Sequence, residues 1–225
     1  MLPSTKKSKL AAALIAALLL SLAVSACGVS ISKDGPHEVR SRQVAPYSRI
    51  EVHGSTEVTV KPGRGHTLWL EGGINRIRDL HTRVEGDTLV VEQEDTSGVI
   101  DLGGDPARVV AEAPRIEAVR IDGSGKVYLG RQRGTQLATA VYGSGEVRAD
   151  GWVDRLRSRV EGSGVLHLAT LRAEDAAVAM SGSGSAELGA IGRLDADIDG
   201  SASVFYAGDP TVSEDVSGSG RVERR

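Results

Sequence analysis

Val119-Arg120-Ile121-Asp122-Gly123-Ser124-Gly125-Lys126-Val127-Tyr128-Leu129 is the stretch on which the fold turns. Apolar residues alternate with polar ones on both sides of a Gly-Ser-Gly triplet. That period of two describes a strand before the triplet and another after it, each with one face inward. The triplet recurs at Gly143-Ser144-Gly145, Gly162-Ser163-Gly164, Gly182-Ser183-Gly184 and Gly218-Ser219-Gly220, with Gly200-Ser201-Ala202 as a variant. The steps are 20, 19, 20, 18 and 18 residues. A near-constant step is the signature of a solenoid whose coils differ slightly at their turns.

The flanks keep register with the triplet. Two residues before each first glycine stand Ile121, Val141, Val160, Met180, Ile198 and Val216. Four before it stand Val119, Thr139, Ser158, Val178, Ala196 and Glu214. Four after it come Val127, Val147, Leu166, Ala186, Val204 and Val222. The opposite strand face carries charge, as in Arg155, Arg157 and Arg159. Two strands meeting at a sharp corner need a backbone that glycine adopts without steric cost. The glycines at these triplets are therefore expected to be structural corners. The serines between them are expected to stack and hydrogen-bond along the ladder. A lone coil of about nineteen residues buries too few aliphatics to offset an ordering cost of about 1.5 kcal/mol per residue, so the array folds only as an array.

The N-terminal half follows the template less regularly. Arg49-Ile50-Glu51-Val52-His53-Gly54-Ser55-Thr56-Glu57-Val58-Thr59-Val60 fits it; Lys61-Pro62-Gly63 is a turn. Residues 67–70 and 88–91 read as strands, and Ile74 to Leu80 as a short helix or an irregular edge. Residues 94–108 are expected to be an exposed loop.

The first residues describe export. Lys6, Lys7 and Lys9 precede an apolar run from Leu10 to Val24, and Ser25-Ala26 lead into Cys27. A basic segment, a short apolar segment and small residues before a cut site form a secretory signal, shorter than a membrane span. Small residues followed by cysteine resemble the lipobox of bacterial lipoproteins, which implies cleavage after residue 26 and diacylation (palmitate-type chains) of Cys27. Cys27 is the only cysteine. Gly28 follows it, and without an acidic residue there the sorting pattern points to the outer membrane. The expected organisation is a signal peptide over 1–26, a lipid-attached tether over 27–41 and one solenoid domain over 42–225.

Loss of residues 1–26 removes three lysines and no acid, taking the formal net charge from −3 to −6. An acidic body lacks the basic stripe of a nucleic-acid binder. The histidines His37, His53, His66, His81 and His167 show no metal-ligand spacing, so no metal is expected. No cofactor is implied. No G-x-S-x-G elbow is present, and His167 is the one histidine in the regular array that could serve a serine as base. Asp195, Asp197 and Asp199 alternate with Leu194, Ala196 and Ile198, which reads first as a solvated strand face.

The quoted repeats, with residues 42–55 and Thr82-Arg83-Val84-Glu85-Gly86-Asp87-Thr88-Leu89-Val90-Val91, resemble the head GIN domain family, labelled auto-transporter adhesins. That resemblance covers roughly 42–225 and implies a β-helix-like solenoid in exported, often lipid-anchored proteins. It implies no catalytic residues. The expectation is an all-β solenoid of the cell envelope, not an enzyme, that binds a glycan or protein ligand and is held to the membrane by its lipid. Self-association into a structural homo-oligomer is the first alternative, and a polysaccharide-active β-helix enzyme the second.

Overall fold

The computed structural model describes residues 35–93 and 106–225, and within them the chain is almost entirely strand. Cys27, the signal segment and residues 94–105 lie outside the described residues.

The Gly-Ser-Gly triplets do what their spacing requires. Strand β8 (Ala118–Gly123) runs into the first full triplet, and β9 (Lys126–Gly143) leaves it and continues to the next. In the same way β10 (Glu146–Gly162), β11 (Val165–Leu168), β12 (Leu171–Gly182), β13 (Ser185–Gly200), β14 (Ser203–Ala207), β15 (Thr211–Gly218) and β16 (Arg221–Arg224) build successive coils. All pairing between these strands is parallel. The register is set by the glycines, with Gly123 opposite Gly143, Gly143 opposite Gly162, and so on to Gly218. Strands β9, β10 and β13 run through the second corner of their coils without a break, so they are longer than the repeat pattern alone suggests, whereas β11/β12 and β14/β15 are interrupted there.

The two glycines of a triplet have different jobs. The first sits at φ +112 to +128° throughout the series from Gly123 to Gly218. A Cβ on Gly182 would lie 2.4 Å from the carbonyl oxygen of Gly162 in the coil below. The third points inward: a Cβ on Gly145 would meet Ile121 Cγ2 at 2.7 Å. The serine between them faces solvent. Its side chain forms no hydrogen bond among the described residues, which corrects the expected serine ladder. The backbone N–H carries the ladder instead, as where Ser144 donates to the Gly123 carbonyl at 3.0 Å and Ser219 to that of Gly200 at 2.8 Å. A hydroxyl exposed at a corner has water to bond, whereas the amide is held against the next coil.

The core is a column of inward aliphatics, among them Ile121, Val141, Val160, Met180 and Ile198, with Val127, Val147, Leu166 and Val204 across from them. Thr139 and Ser158 are buried within it and satisfy one another, Thr139 Oγ1 donating to Ser158 Oγ at 2.9 Å.

At the N-terminal end the order of coils departs from the order of the chain. Strands β2 (Arg49–Gly54) and β3 (Glu57–Pro62) stack on β8 and β9 with Gly54 opposite Gly123. The next coil outward is formed by later residues, β6 (Thr88–Gln93) on β2 and β7 (Arg108–Ala113) on β3. Strand β7 falls at the end of the stretch expected to be loop. Antiparallel strands then close this end: β4 (Thr67–Gly73) on β7, β1 (His37–Gln43) on β4, and β5 (Leu80–Glu85) on β6. A short helix, α1 (Ile74–Arg78), joins β4 towards β5 and buries Ile77. Residues 37–41, read from sequence as the end of a tether, are thus part of the fold, because the edge of β4 pairs with them.

Candidate binding surface

The strand preceding each triplet presents an outward row of side chains, and stacking aligns these rows into columns. Arg157 stands opposite Ala138 on one side and Ala177 on the other, with Asp195 beyond Ala177. Arg159, Ala140, Ala179 and Asp197 repeat the pattern. Neighbouring strands lie about 4.8 Å apart, so the arginine and aspartate rows are about 10 Å apart with alanines between them. The result is a shallow groove of about 410 Å3, floored by Ala177 and Ala179 and walled by Arg157 and Arg159 on one side and Asp195 and Asp197 on the other.

Elsewhere many of the surface charges are matched. Arg83 bonds Glu85 and Glu92, and holds the Glu92 carboxyl below its usual range. Arg120 bonds Asp122 at 2.8 Å, approaches Glu51 at 3.5 Å and lies over the Tyr142 ring. The Asp122 hydrogen bond raises the Arg120 guanidinium above its ordinary value. Beyond the triplets, Glu146 pairs with Lys126 and His167, and Glu187 with His167 and Arg225. Arg159 is tied to Glu161 at 2.6 Å.

Arg131, Arg133, Arg155, Arg157 and Arg172 break this rule. All five are exposed, and among the described residues none has a hydrogen-bond or ion-pair partner. Arg64 is the one other described arginine in that condition. Two of the five lie directly beside Trp152, an exposed large hydrophobic side chain at 48% accessibility. Arg133 and Arg172 stand on either side of Trp152 in the ladder, and Arg155 and Arg157 follow it along the same coil. Among the described residues no guanidinium stacks on the Trp152 ring.

The residues singled out from sequence fall as follows. The triplet glycines and serines form one corner column along the array, and Arg155, Arg157 and Arg159 share one row. Asp195, Asp197 and Asp199 lie exposed on an open strand face, side by side. The histidines are surface or half-buried groups. One grouping invisible in the spacing is Glu51, His53 and Asp122, brought together by the pairing of β2 with β8. Arg120 already occupies it as a counter-ion, so it reads as an ion-pair network. Trp152 went unnoticed because it lies in the second corner, outside the offsets that define the repeat. The one signal for it was a large aromatic beside Gly151 in a chain with few aromatics.

Fold and surface together define a parallel β-solenoid with a flat, chemically patterned strand face. A family model described as "Putative auto-transporter adhesin, head GIN domain" matches residues 46–210, and the chain belongs to that family. Solved structures share the fold. A putative adhesin from Bacteroides fragilis is 18% identical with a TM-score of 0.67, the match covering 84% of this chain and 97% of that one. A putative adhesin from Parabacteroides merdae is 16% identical with a TM-score of 0.52, covering 85% and 97%. A putative lipid binding protein from Parabacteroides distasonis is 21% identical with a TM-score of 0.50, covering 85% and 97%. No curated relative matches the chain.

Proposed function

We propose that this protein is a non-enzymatic binding module of the cell envelope, anchored through a lipid on Cys27 and binding through the strand face around Trp152. One observation carries the reading. On a surface where carboxylates pair with twelve of the described arginines, Arg133 and Arg172 flank an exposed indole and Arg155 and Arg157 follow it along the coil, all four without a partner among the described residues. Unmatched charge and exposed aromatic area both lack a use within the fold itself, and both are enriched where proteins meet partners. The adhesin names of the family and its structural neighbours agree with a binding role. The non-enzymatic part rests on the open setting of Asp195, Asp197 and Asp199. Glycosidases flank the scissile bond with two carboxylates, whereas these three line one row of one strand and meet a ligand from one side only.

Protease shaving of intact cells, with a tag after Arg225 and lysed cells alongside, tests the location. Loss of the tag from intact cells supports adhesion at the surface. Survival until lysis assigns the module to the periplasm and removes adhesion to external surfaces. Cys27→Ser is expected to move the chain from the membrane to the soluble fraction. Asp195-dependent turnover of a polysaccharide panel would sink the non-enzymatic assignment.

Self-association is the second reading. Among the described residues, strands β15 and β16 have a neighbour on one side only, and Val216 is 38% exposed there. An open strand edge is a template for pairing. Sedimentation of the wild type against Val216→Lys separates this from ligand binding.

A further inference from the structure

We infer that the Trp152 surface is a subsite for an anionic polysaccharide, which lies along the Gly162 coil with one sugar ring stacked on the indole. The inference rests on the binding-module reading and names the class of ligand. Trp152, Arg155, Arg157 and Arg159 follow one another along that coil, with the corner at Asp154-Arg155, between the buried Val153 and Leu156, separating the indole from Arg157 and Arg159. From Trp152 to Arg159 the backbone spans at most about 23 Å, and alternate arginines are about 6.6 Å apart. That is the reach of a short oligosaccharide, with a cation offered at regular intervals. Alanines flank Arg157 and Arg159 on both sides, Ala138 and Ala140 in one coil and Ala177 and Ala179 in the other, while Arg155 stands between Gln136 and Asp175. The small alanine side chains leave the Arg157 guanidinium fork free to engage carboxylates or sulfates in a bidentate manner, while that of Arg159 is held by Glu161.

Two observations select a sugar over other polyanions. The first is the free indole face, flanked in the ladder by Arg133 and Arg172. An aromatic ring beside unpaired cations suits a ligand that is apolar on its ring face and anionic at its substituents. The second is a row of acids beside it. The pairs Val153 with Gly134 and with Ala173 put Asp154 and Glu174 in adjacent coils, one outward position on from the Arg133–Trp152–Arg172 column. Neither acid carries an ion pair among the described residues. Carboxylates at that position accept hydrogen bonds from the hydroxyls that lie between the charges of an acidic sugar chain. Mixed acids and arginines around one ring thus match a hydroxyl-rich, intermittently charged chain.

The test uses indole fluorescence and calorimetry on the purified full-length chain. The probes are polygalacturonate and dextran sulfate, beside their neutral counterparts, methyl-esterified polygalacturonate and dextran. Saturable quenching is expected with at least one acidic polymer, at least tenfold tighter than with its neutral counterpart. Trp152→Ala is expected to abolish the quenching. Arg133→Gln/Arg172→Gln is expected to weaken binding at least tenfold, as is Arg155→Gln/Arg157→Gln. These side chains are exposed, so the variants should keep the wild-type melting temperature. Absence of saturable binding to either acidic polymer overturns the inference, and so does equal affinity for a neutral one. Tighter binding to phosphatidylglycerol vesicles or to single-stranded DNA also overturns it. None of these failures alters the shaving result, so the envelope-binding reading stands or falls separately.

Discussion

The regular array from Gly123 to Gly218 and the N-terminal end around Gly54 use the same corner under different constraints. In the array each coil rests on a glycine corner of the coil below. At Gly54 the coil beyond belongs to β6, whose chain leaves through Gln93 with no glycine marker. Gly54 has φ +98°, yet a Cβ there would have Gln93 Cβ as its nearest neighbour, at 4.0 Å. At Gly182, φ is +116° and the Cβ would strike a carbonyl oxygen at 2.4 Å. The first corner therefore needs glycine for conformation alone. The later ones need it for conformation and for stacking.

That difference yields the largest expected effect. Gly182→Ala combines a disfavoured backbone, about 1–3 kcal/mol, with a backbone clash of similar size, about 1–3 kcal/mol. Gly54→Ala has the first cost alone. Urea unfolding of the two variants should show Gly182→Ala losing roughly twice as much stability or more. Equal losses would mean that stacking clearance is not what holds glycine in the array.

The same contrast explains what could be read from the sequence. The triplets, the inward alternation and the Gly54 match to the template are local patterns, and each maps onto a corner or a core position. Strand β7 was missed because nothing before Arg108 marks a corner; its place outside β3 follows from the chain doubling back. The pairing state of the arginines was also hidden. Glu146 meets Lys126 and His167 only through coils about twenty residues apart, so a free arginine and a matched one look alike in sequence. Trp152 belongs to the second corners, which vary in length and carry no shared motif.

A middle-sized effect is expected inside the array. Thr139 and Ser158 replace the aliphatics found at the same offset in Val119, Val178 and Ala196, and they are stable there because they hydrogen-bond each other. Ser158→Ala leaves the Thr139 hydroxyl buried without its acceptor, at a cost of about 1–3 kcal/mol. Thr139→Val/Ser158→Ala should recover most of that loss, since two apolar groups of similar shape replace the pair. A double-mutant cycle measures the coupling. Additive losses would show that the hydroxyls are solvated separately.

The smallest effect belongs to the N-terminal end, where local bonds substitute for the repeat. Tyr47 is buried between β1 and β2, packs edge-on to His66 and donates its hydroxyl to the Glu112 carbonyl at 2.9 Å, tying the entry of the chain to β7. Tyr47→Phe should cost about 1 kcal/mol at neutral pH. Burial first, and then the Glu112 carboxylate, push the phenol well above its ordinary value. The unfolded chain therefore releases this proton near pH 10, before the folded one does. The Tyr47 contribution is complete below that pH and is lost as pH rises through the folded value. Stability measured from pH 9 upward should fall more steeply for the wild type than for Tyr47→Phe. Tyr128, also raised by burial, supplies a shared background slope in both proteins. Parallel slopes would place the Tyr47 hydroxyl in water and remove it as the link between the entering chain and the outermost coil.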